Sequence, residues 1–562
     1  MIDLAARSTF SAFRSRILTV LLLFLGVHAI ASSQTALMAT TEPSPWRPRI
    51  HFYAPPNWIN DPNGTIFLNG QYQLFFQYNP FGDEWGHMSW GHASSTDLAH
   101  WREVTVAISE EKGVMIFSGS SVEDRDNTSG LCAAEGQKTP GCLVAIYTGA
   151  SHDPQNGDRQ TQNLAFSLNG GATFTKFSGN PVLNLGLKDF RDPKVFWHAR
   201  TKSWVMVVSL PDQHKVRFYR SKNLRQWEPA GEFGPAGAVS GVWECPDLFE
   251  LPVREPAGKY DTVGKIAGSR WVLSVNINPG GPAGGSADQY FVGQFDGFHF
   301  IEDHPGSGPH WADWGKDFYA STSFSNTPPG QDRTWIAWMS NWDYAPRLPS
   351  LPGRGEMTVA RSLFLRQPPP HTSTTPSQEP LLLVQQPALP TPSYKPFTAL
   401  FGSAPYQTIA QANARIADGK LTGSVYLLRV TLDPGDAAQA GVRLRRSSAD
   451  PGESAQEETV VGIDKEAGRI FVDRTRSGQT GWSPAFPARV SAPLKHPQAN
   501  SIRIEIVVDH SSVEVFAEDG ETVLSNLIYP AATSVGLSFF STPTPPGVGP
   551  ALVRGVEFIP FD

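Results

Sequence analysis

A chain of 562 residues is longer than one hydrophobic core usually serves, so two folded domains are expected. Lys and Arg total 46 against 53 Asp and Glu, and the resulting net charge of −7 excludes a broad basic surface for nucleic acid. With 51 Gly, 48 Pro and an aromatic share of 11% that includes 16 Trp, the composition points to many short strands joined by turns and away from a helical protein.

In chain order, Arg7, Arg14 and Arg16 precede an apolar run from Ile17 to Val27, and Ala29 and Ala31 stand in a small-x-small arrangement. This predicts a cleaved signal peptide over residues 1–31 and a secreted, extracellular protein. The run is shorter than the roughly 20 apolar residues of a spanning helix, so no membrane association is expected after cleavage.

From 46 to 366 the chain reads as strands with hairpin turns. Two strand-like runs in TIFLNGQYQLFFQY (Thr65 to Tyr78) flank Asn69-Gly70, a strong hairpin signal. Comparable units follow at Leu143 to Phe177, Lys194 to Ser209, Asp247 to Asn276 and Thr322 to Ser340. Polar or acidic clusters precede several of them: Asn60-Asp61-Pro62, Phe117-Ser118-Gly119, Arg191-Asp192-Pro193, Glu244-Cys245-Pro246 and Asp317-Phe318. The gaps of about 55 to 75 residues fit four-stranded sheets with their loops, and radially arranged sheets place such clusters at one central funnel. The expected catalytic domain is therefore a five-bladed β-propeller.

Cys132 and Cys142 flank a short loop and are placed to pair, which leaves Cys245 as a buried thiol. Asn127-Thr-Ser reads as a glycosylation acceptor; Asn63-Gly-Thr also fits the pattern but is expected to lie bare in the active site. Residues 367–395, rich in Pro, Ser and Thr, read as a linker or surface strap. Beyond it, 396–562 shows alternating strands at Ser424 to Leu432, Glu458 to Ile463, Arg469 to Asp473 and Ile502 to Val508, which predicts a β-sandwich. The whole chain is expected to be all-β. The sandwich reads as a buttress, since only Trp482 and Phe516 suggest an aromatic platform for sugar.

Three carboxylates draw attention. Asp61 in WINDPNG follows an aromatic, apolar lead-in and stands at a strand start, where it can face a cavity; the same residues also describe an ordinary tight turn. Glu244 in VWECP has an apolar setting, and desolvation there is expected to raise its pKa, as a proton donor to a leaving oxygen requires. Asp192 in FRDP can form a structural pair with Arg191 or hold sugar hydroxyls. One nucleophilic and one proton-donating carboxylate, roughly 5 to 5.5 Å apart, are the minimum for retaining glycoside hydrolysis. Trp58, Trp85, Trp90 and Trp338 are candidates for stacking on sugar rings. His87 and His92 lack zinc-ligand spacing, and neither a phosphate loop nor a nucleophile elbow occurs, so no metal or cofactor is expected.

Six ordered motifs, WINDPNG, FFQYNP, WGHASSTDLAHW, FSGS, FRDPKVFW and WECPDLFEL, resemble glycoside hydrolase family 32, the family of invertases, inulinases, levanases and fructosyltransferases. The resemblance implies a five-bladed propeller followed by a sandwich. It also implies that Asp61 is the nucleophile, Asp192 a transition-state stabiliser and Glu244 the acid/base, with Asn60, Gln77, Trp85, Phe117, Ser118, Arg191 and Trp338 contacting fructose. The stretch from Trp311 to Leu365 looks most like the exo-inulinase and levanase branch, but Leu351-Pro352-Gly353-Arg354 replaces the Pro-Trp-Arg often found there. The implied substrates are sucrose or fructans, with a fructosyltransferase or a non-catalytic fructan-binding protein as the competing readings.

Overall fold

The computed structural model describes residues 44–561 except 54–55, 133–140, 156, 256–263, 329, 369–378, 391–405 and 544–548; the expected signal peptide lies outside the described residues. The first sheet contains β1 (Asn57–Leu68), β2 (Gln71–Tyr78), β3 (Ser89–Ser95) and β4 (Trp101–Ile108), all antiparallel neighbours. Its first hairpin turns at Asn69-Gly70, whose φ of 52° and 79° are the positive pair that such a two-residue loop demands. The second sheet runs β5 (Val114–Asp124), β6 (Cys142–Asp153), β7 (Gly157–Ser167) and β8 (Thr175–Lys176). The third runs β9 (Arg191–His198), β10 (Ser203–Leu210), β11 (Lys215–Ser221) and β12 (Glu228–Phe233).

Next come β13 (Val242–Arg254), β14 (Ile266–Asn278), β15 (Ala287–Phe295), β16 (Phe300–Glu302) and the short β17 (His310–Trp311). After them β18 (Tyr319–Ser323), β19 (Arg333–Trp338), β21 (Arg361–Arg366) and β22 (Leu382–Pro387) pair with one another, and parallel pairing of β21 with β13 merges both groups into one nine-stranded sheet. The two-residue β20 (Gly353–Arg354) runs parallel to β1. The segment read as a linker thus needs correction: Leu382–Pro387 is a full strand antiparallel to β21, because Leu383 and Val384 have a core to enter.

The first strands of these groups contact one another in a closed circuit: β1 with β5, β5 with β9, β9 with β13, β13 with β18, and β18 with β1. The cores lie between sheets, as where Val195 and Met206 of one meet Val144 and Leu164 of the next.

Residues 406–561 form a six-stranded and a five-stranded sheet that share a core, Leu428, Ile506 and Val515 from one meeting Val442, Val461 and Ile470 from the other. One helix, α1 (Ile409–Gly419), was not read from the sequence, although Thr408 and Gln411 form a capping box at its start. This region joins the first through a buried charged seam. His51 bridges Asp509 (2.8 Å) and Glu514 (2.9 Å); Arg361 bridges Asp313 (3.0 Å) and Glu514 (2.5 Å); Arg474 pairs with Asp317 (2.6 Å). Phe516 is buried in that seam beneath Arg361, and Trp482 packs on Phe486 and Tyr529, so neither is an open platform.

Candidate active site

The same irregularity recurs in five strands. In β1, β5, β9, β13 and β18 the pairing register slips around residues 60–61, 117–118, 192–193, 245–246 and 320–321. Such bulges release a strand from its ladder and re-aim a side chain. In three of them a proline, Pro62, Pro193 or Pro246, stands where no N–H is available for pairing. Asp192, Cys245 and Ala320 take positive φ of 67°, 45° and 55° at these points. WINDPNG is therefore a bulged strand rather than a tight turn. Its Gly64 also has positive φ, and a Cβ there would lie 2.7 Å from the Phe75 ring.

These bulges surround a cavity of about 360 Å³ lined by Asn60, Asp61, Gln77, Trp85, Phe117, Ser118, Arg191, Asp192 and Glu244, together with Val242, Asn278, Tyr319 and Trp342. Nine of the ten expected site residues meet there. Asp61 accepts hydrogen bonds from Ser118 Oγ (2.6 Å) and Asn60 Nδ2 (3.0 Å), while Asn60 is fixed by the Trp58 indole N–H (2.8 Å). Asn63 holds the bulge in shape through Gly119 N–H on β5 (3.0 Å) and the Asp61 carbonyl (3.0 Å); it is fully buried, with no room for a glycan. Asp192 accepts the Cys245 N–H (2.9 Å), and its own N–H donates to Thr148 (2.9 Å).

The apolar setting expected for Glu244 is corrected. Its carboxylate meets the Arg191 guanidinium at 3.0 Å and accepts a hydrogen bond from the Tyr319 hydroxyl. Arg191 is held in turn by Asp189 (2.7 Å) and Gln160 (3.2 Å), which fixes the guanidinium plane. Burial pushes the Asp61 carboxyl up, opposed by the Ser118 and Asn60 hydrogen bonds. Burial also lifts Asp192 to about 7, with Arg191 opposing and the charges of Glu244 and Asp61 adding to the rise.

Cys132 and Cys142 form a disulfide. Cys245 is the free thiol among the described cysteines, but it is half-buried rather than enclosed, and donates weakly to Asp61 (3.5 Å) and Asp192 (3.6 Å). Three of the four tryptophans offered as sugar platforms are fully buried. Trp58 and Trp338 lie beside Trp342, with ring centroids 5.9 and 4.9 Å from it, and Trp90 donates to the Phe117 carbonyl. Trp338 thus stands behind the wall rather than on it, and Trp342, four residues on, faces the cavity. Trp85 does line the cavity and is 46% exposed. His87 pairs with Glu110 (2.8 Å), and His92 is buried against Phe75 and bonded to Gln73.

Tyr319 and Trp342 escaped sequence reasoning, though both lie in the Trp311 to Leu365 stretch, because a phenol or indole carries no local sign of its partner. Among the described residues, no helix is long and apolar enough to cross a membrane.

Residues 51–379 match the glycosyl hydrolases family 32 N-terminal domain, and residues 398–548 the family 32 C-terminal domain. The levanase of Bacillus subtilis is 39% identical over 94% of this chain and 73% of its own length. An extracellular exo-inulinase of Aspergillus niger is 38% identical over 89% of this chain and 92% of its own length. The crystal structure of exo-inulinase from Aspergillus awamori superposes with a TM-score of 0.75 at 35% identity, covering 92% of this chain and 99% of that one. A fructofuranosidase from Schwanniomyces occidentalis complexed with fructose gives 0.75 at 31% identity over 92% of this chain and 99% of that one. With both halves of the chain matched and an all-β fold in common, this protein belongs to glycoside hydrolase family 32 and is a glycoside hydrolase.

Proposed function

We propose that the chain is a secreted, retaining β-fructofuranosidase that removes terminal non-reducing fructose from sucrose and fructans. The observation that carries this reading is the unequal treatment of two carboxylates in one cavity. Asp61 has only neutral hydrogen-bond donors and no cationic partner, which leaves an anion free to attack. Glu244 is gripped by Arg191 and Tyr319, which orients one carboxyl for proton transfer.

Asp61 attacks the anomeric carbon of the fructosyl unit while Glu244 gives its proton to the glycosidic oxygen, and the rest of the substrate leaves as an alcohol. Glu244, now ionised, takes a proton from water; that water attacks the same carbon and frees Asp61. Asp192 holds ring hydroxyls and strengthens those bonds as positive charge builds on the ring. Trp85 and Phe117 supply an apolar wall, and Gln77, whose buried Nε2 has no partner, supplies a waiting donor. The contact expected of Trp338 passes to Trp342.

The closed circuit of five bulged strands supports a five-bladed propeller over about 46–366, extended by β22, with a sandwich over 396–562. The extracellular relative supports secretion through the 1–31 segment. The test is product analysis on sucrose, inulin and levan, with NMR of the first fructose anomer released. Retention with fructose as the main product is expected. Inversion would overturn the mechanism, and chain-lengthened products outpacing fructose at high sucrose would make it a transferase.

A further inference from the structure

Five residues past Asp192 on β9, about 16 Å away at the rise of a strand, a second cavity opens. At about 610 Å³ it is larger than the catalytic one, and β5, β9 and β13 supply walls to both. Between them lies a small cavity of about 20 Å³ that shares Ser118 and Asp192 with the first and Lys194 with the second; there the buried Lys194 ammonium is bonded to the Ser323 carbonyl (2.6 Å), Thr322 Oγ1 (3.0 Å) and Asp247 Oδ2 (3.0 Å).

The chemistry of this second cavity is that of a sugar site. Trp197 on its wall is 45% exposed, braced edge-on by Trp204 at 5.1 Å, so an indole face is open and held in place. Asp247 lines the same space and is 1% exposed; its Oδ2 also accepts the Ser323 N–H, but its Oδ1 has no hydrogen-bond partner. A buried carboxylate oxygen left without a donor is costly, and a ligand hydroxyl relieves it. Three acids on the wall, Glu123, Asp247 and Glu250, are matched by three bases, Lys194, Arg200 and Arg333, which selects against a charged ligand and for a neutral, polyhydroxylated one.

We propose that this cavity is a non-catalytic binding site for a fructan chain, with Trp197 as stacking platform and Asp247 Oδ1 as acceptor for a sugar hydroxyl. The choice of fructan among neutral sugars rests on the substrate reading above. The site anchors polymer on the face remote from the cleavage site, which keeps the enzyme on its substrate between turnovers.

The experiment is native electrophoresis of the full chain in gels containing inulin, using Asp61→Asn/Glu244→Gln protein so that the polymer survives. Adding Trp197→Ala is expected to weaken retention about fivefold, the scale of one lost aromatic stack. In the active background the same substitution is expected to leave kcat and KM for sucrose unchanged. Trp197→Phe is expected to keep most of the retention, and melting temperatures show whether each variant is folded; should Trp197→Ala melt early, Glu250→Ala serves as the second arm. Unchanged retention in a folded variant would overturn the site and leave the cavity to water. A raised KM for sucrose would assign Trp197 to the catalytic cavity instead. Equal retention in dextran would overturn the selection of fructan. Fructose release is read separately, so failure of the catalytic reading and failure of this site are distinguishable.

Discussion

Two clusters of buried charge, the candidate-site cavity and the seam between the two regions, use the same residue types to opposite ends. In the seam His51 and Arg361 each lie between two acids, and Arg474 pairs with Asp317. Arg361 and His51 together hold Glu514 down to about 2 against the upward push of burial, and Asp509 is likewise held low against burial by His51. In the cavity the one guanidinium, that of Arg191, is bonded to Glu244 and Asp189 and only opposes the rise of Asp192; Asp61 has no cationic partner, and burial wins at Asp61 and Asp192. Two seam acids break the pattern: burial raises Asp313 in spite of Arg361, and it lifts Glu356, whose carboxylate accepts from Ser511, to about 8. Paired charges make structure, and acids left short of partners mark the place where a ligand and a proton are to be handled.

The sharpest way to break this comparison is to remove one member of each cluster. Asp61→Asn is expected to cut fructose release from sucrose by about 10³-fold or more, the scale of losing a positioned nucleophile. It should leave the melting temperature unchanged or slightly raised, since it removes an unpaired buried acid. Arg361→Met should do the reverse. Stranding Glu514 and Asp313 is expected to cost about 3 to 5 kcal/mol in urea unfolding, the usual loss when one partner of a buried pair goes. An Asp61→Asn protein as destabilised as Arg361→Met would show that the cavity acids are structural too.

The pH dependence of stability separates the clusters by sign. Against the opposing effect of burial, Asp509 and Glu514 raise His51 to about 10 from 6.5. Its stabilisation is therefore fully present below about pH 6.5 and is lost as pH rises through about 10. Asp192 is an acid whose folded value is raised, from 3.8 to about 7, so the folded state resists its ionisation. Its contribution falls as pH rises from about 4 to about 7. Urea midpoints measured from pH 4 to 10 should show the acid-side slope flattened in Asp192→Asn and the alkaline loss removed in His51→Gln. An unchanged slope in either variant would detach that group from its cluster.

Much of this was legible in the chain because its signals are local. Asn69-Gly70 between alternating apolar runs specifies a hairpin, and Asp61, Asp192 and Cys245 each announce a bulge by the proline that follows. The strand at 382–387 was hidden because Pro-rich flanks dominate the composition around it, and only the open edge of β21 makes Leu383 and Val384 a strand. The seam was invisible for a related reason. Nothing near Arg361 or His51 in sequence reveals partners 48 to 463 residues away. The partners of Glu244 were misjudged likewise, since Arg191 and Tyr319, which hold its carboxylate, lie 53 and 75 residues away.

The smallest effect concerns the one site residue the structure displaces. Trp338 has no exposure, and its buried indole N–H has no partner, so Trp338→Phe loses some packing and no bond. The expected change in KM for sucrose is under about twofold, with a modest drop in melting temperature of the kind a small core change brings. Trp342 borders the cavity directly and stacks on Trp58 at 5.9 Å, which in turn positions Asn60 against Asp61. Trp342→Ala should therefore raise KM about tenfold, the upper scale of one aromatic contact, and lower kcat through the loosened Asn60. Steady-state kinetics on the pair decides which indole meets the sugar, and equal KM values for the two variants would return Trp338 to the substrate wall.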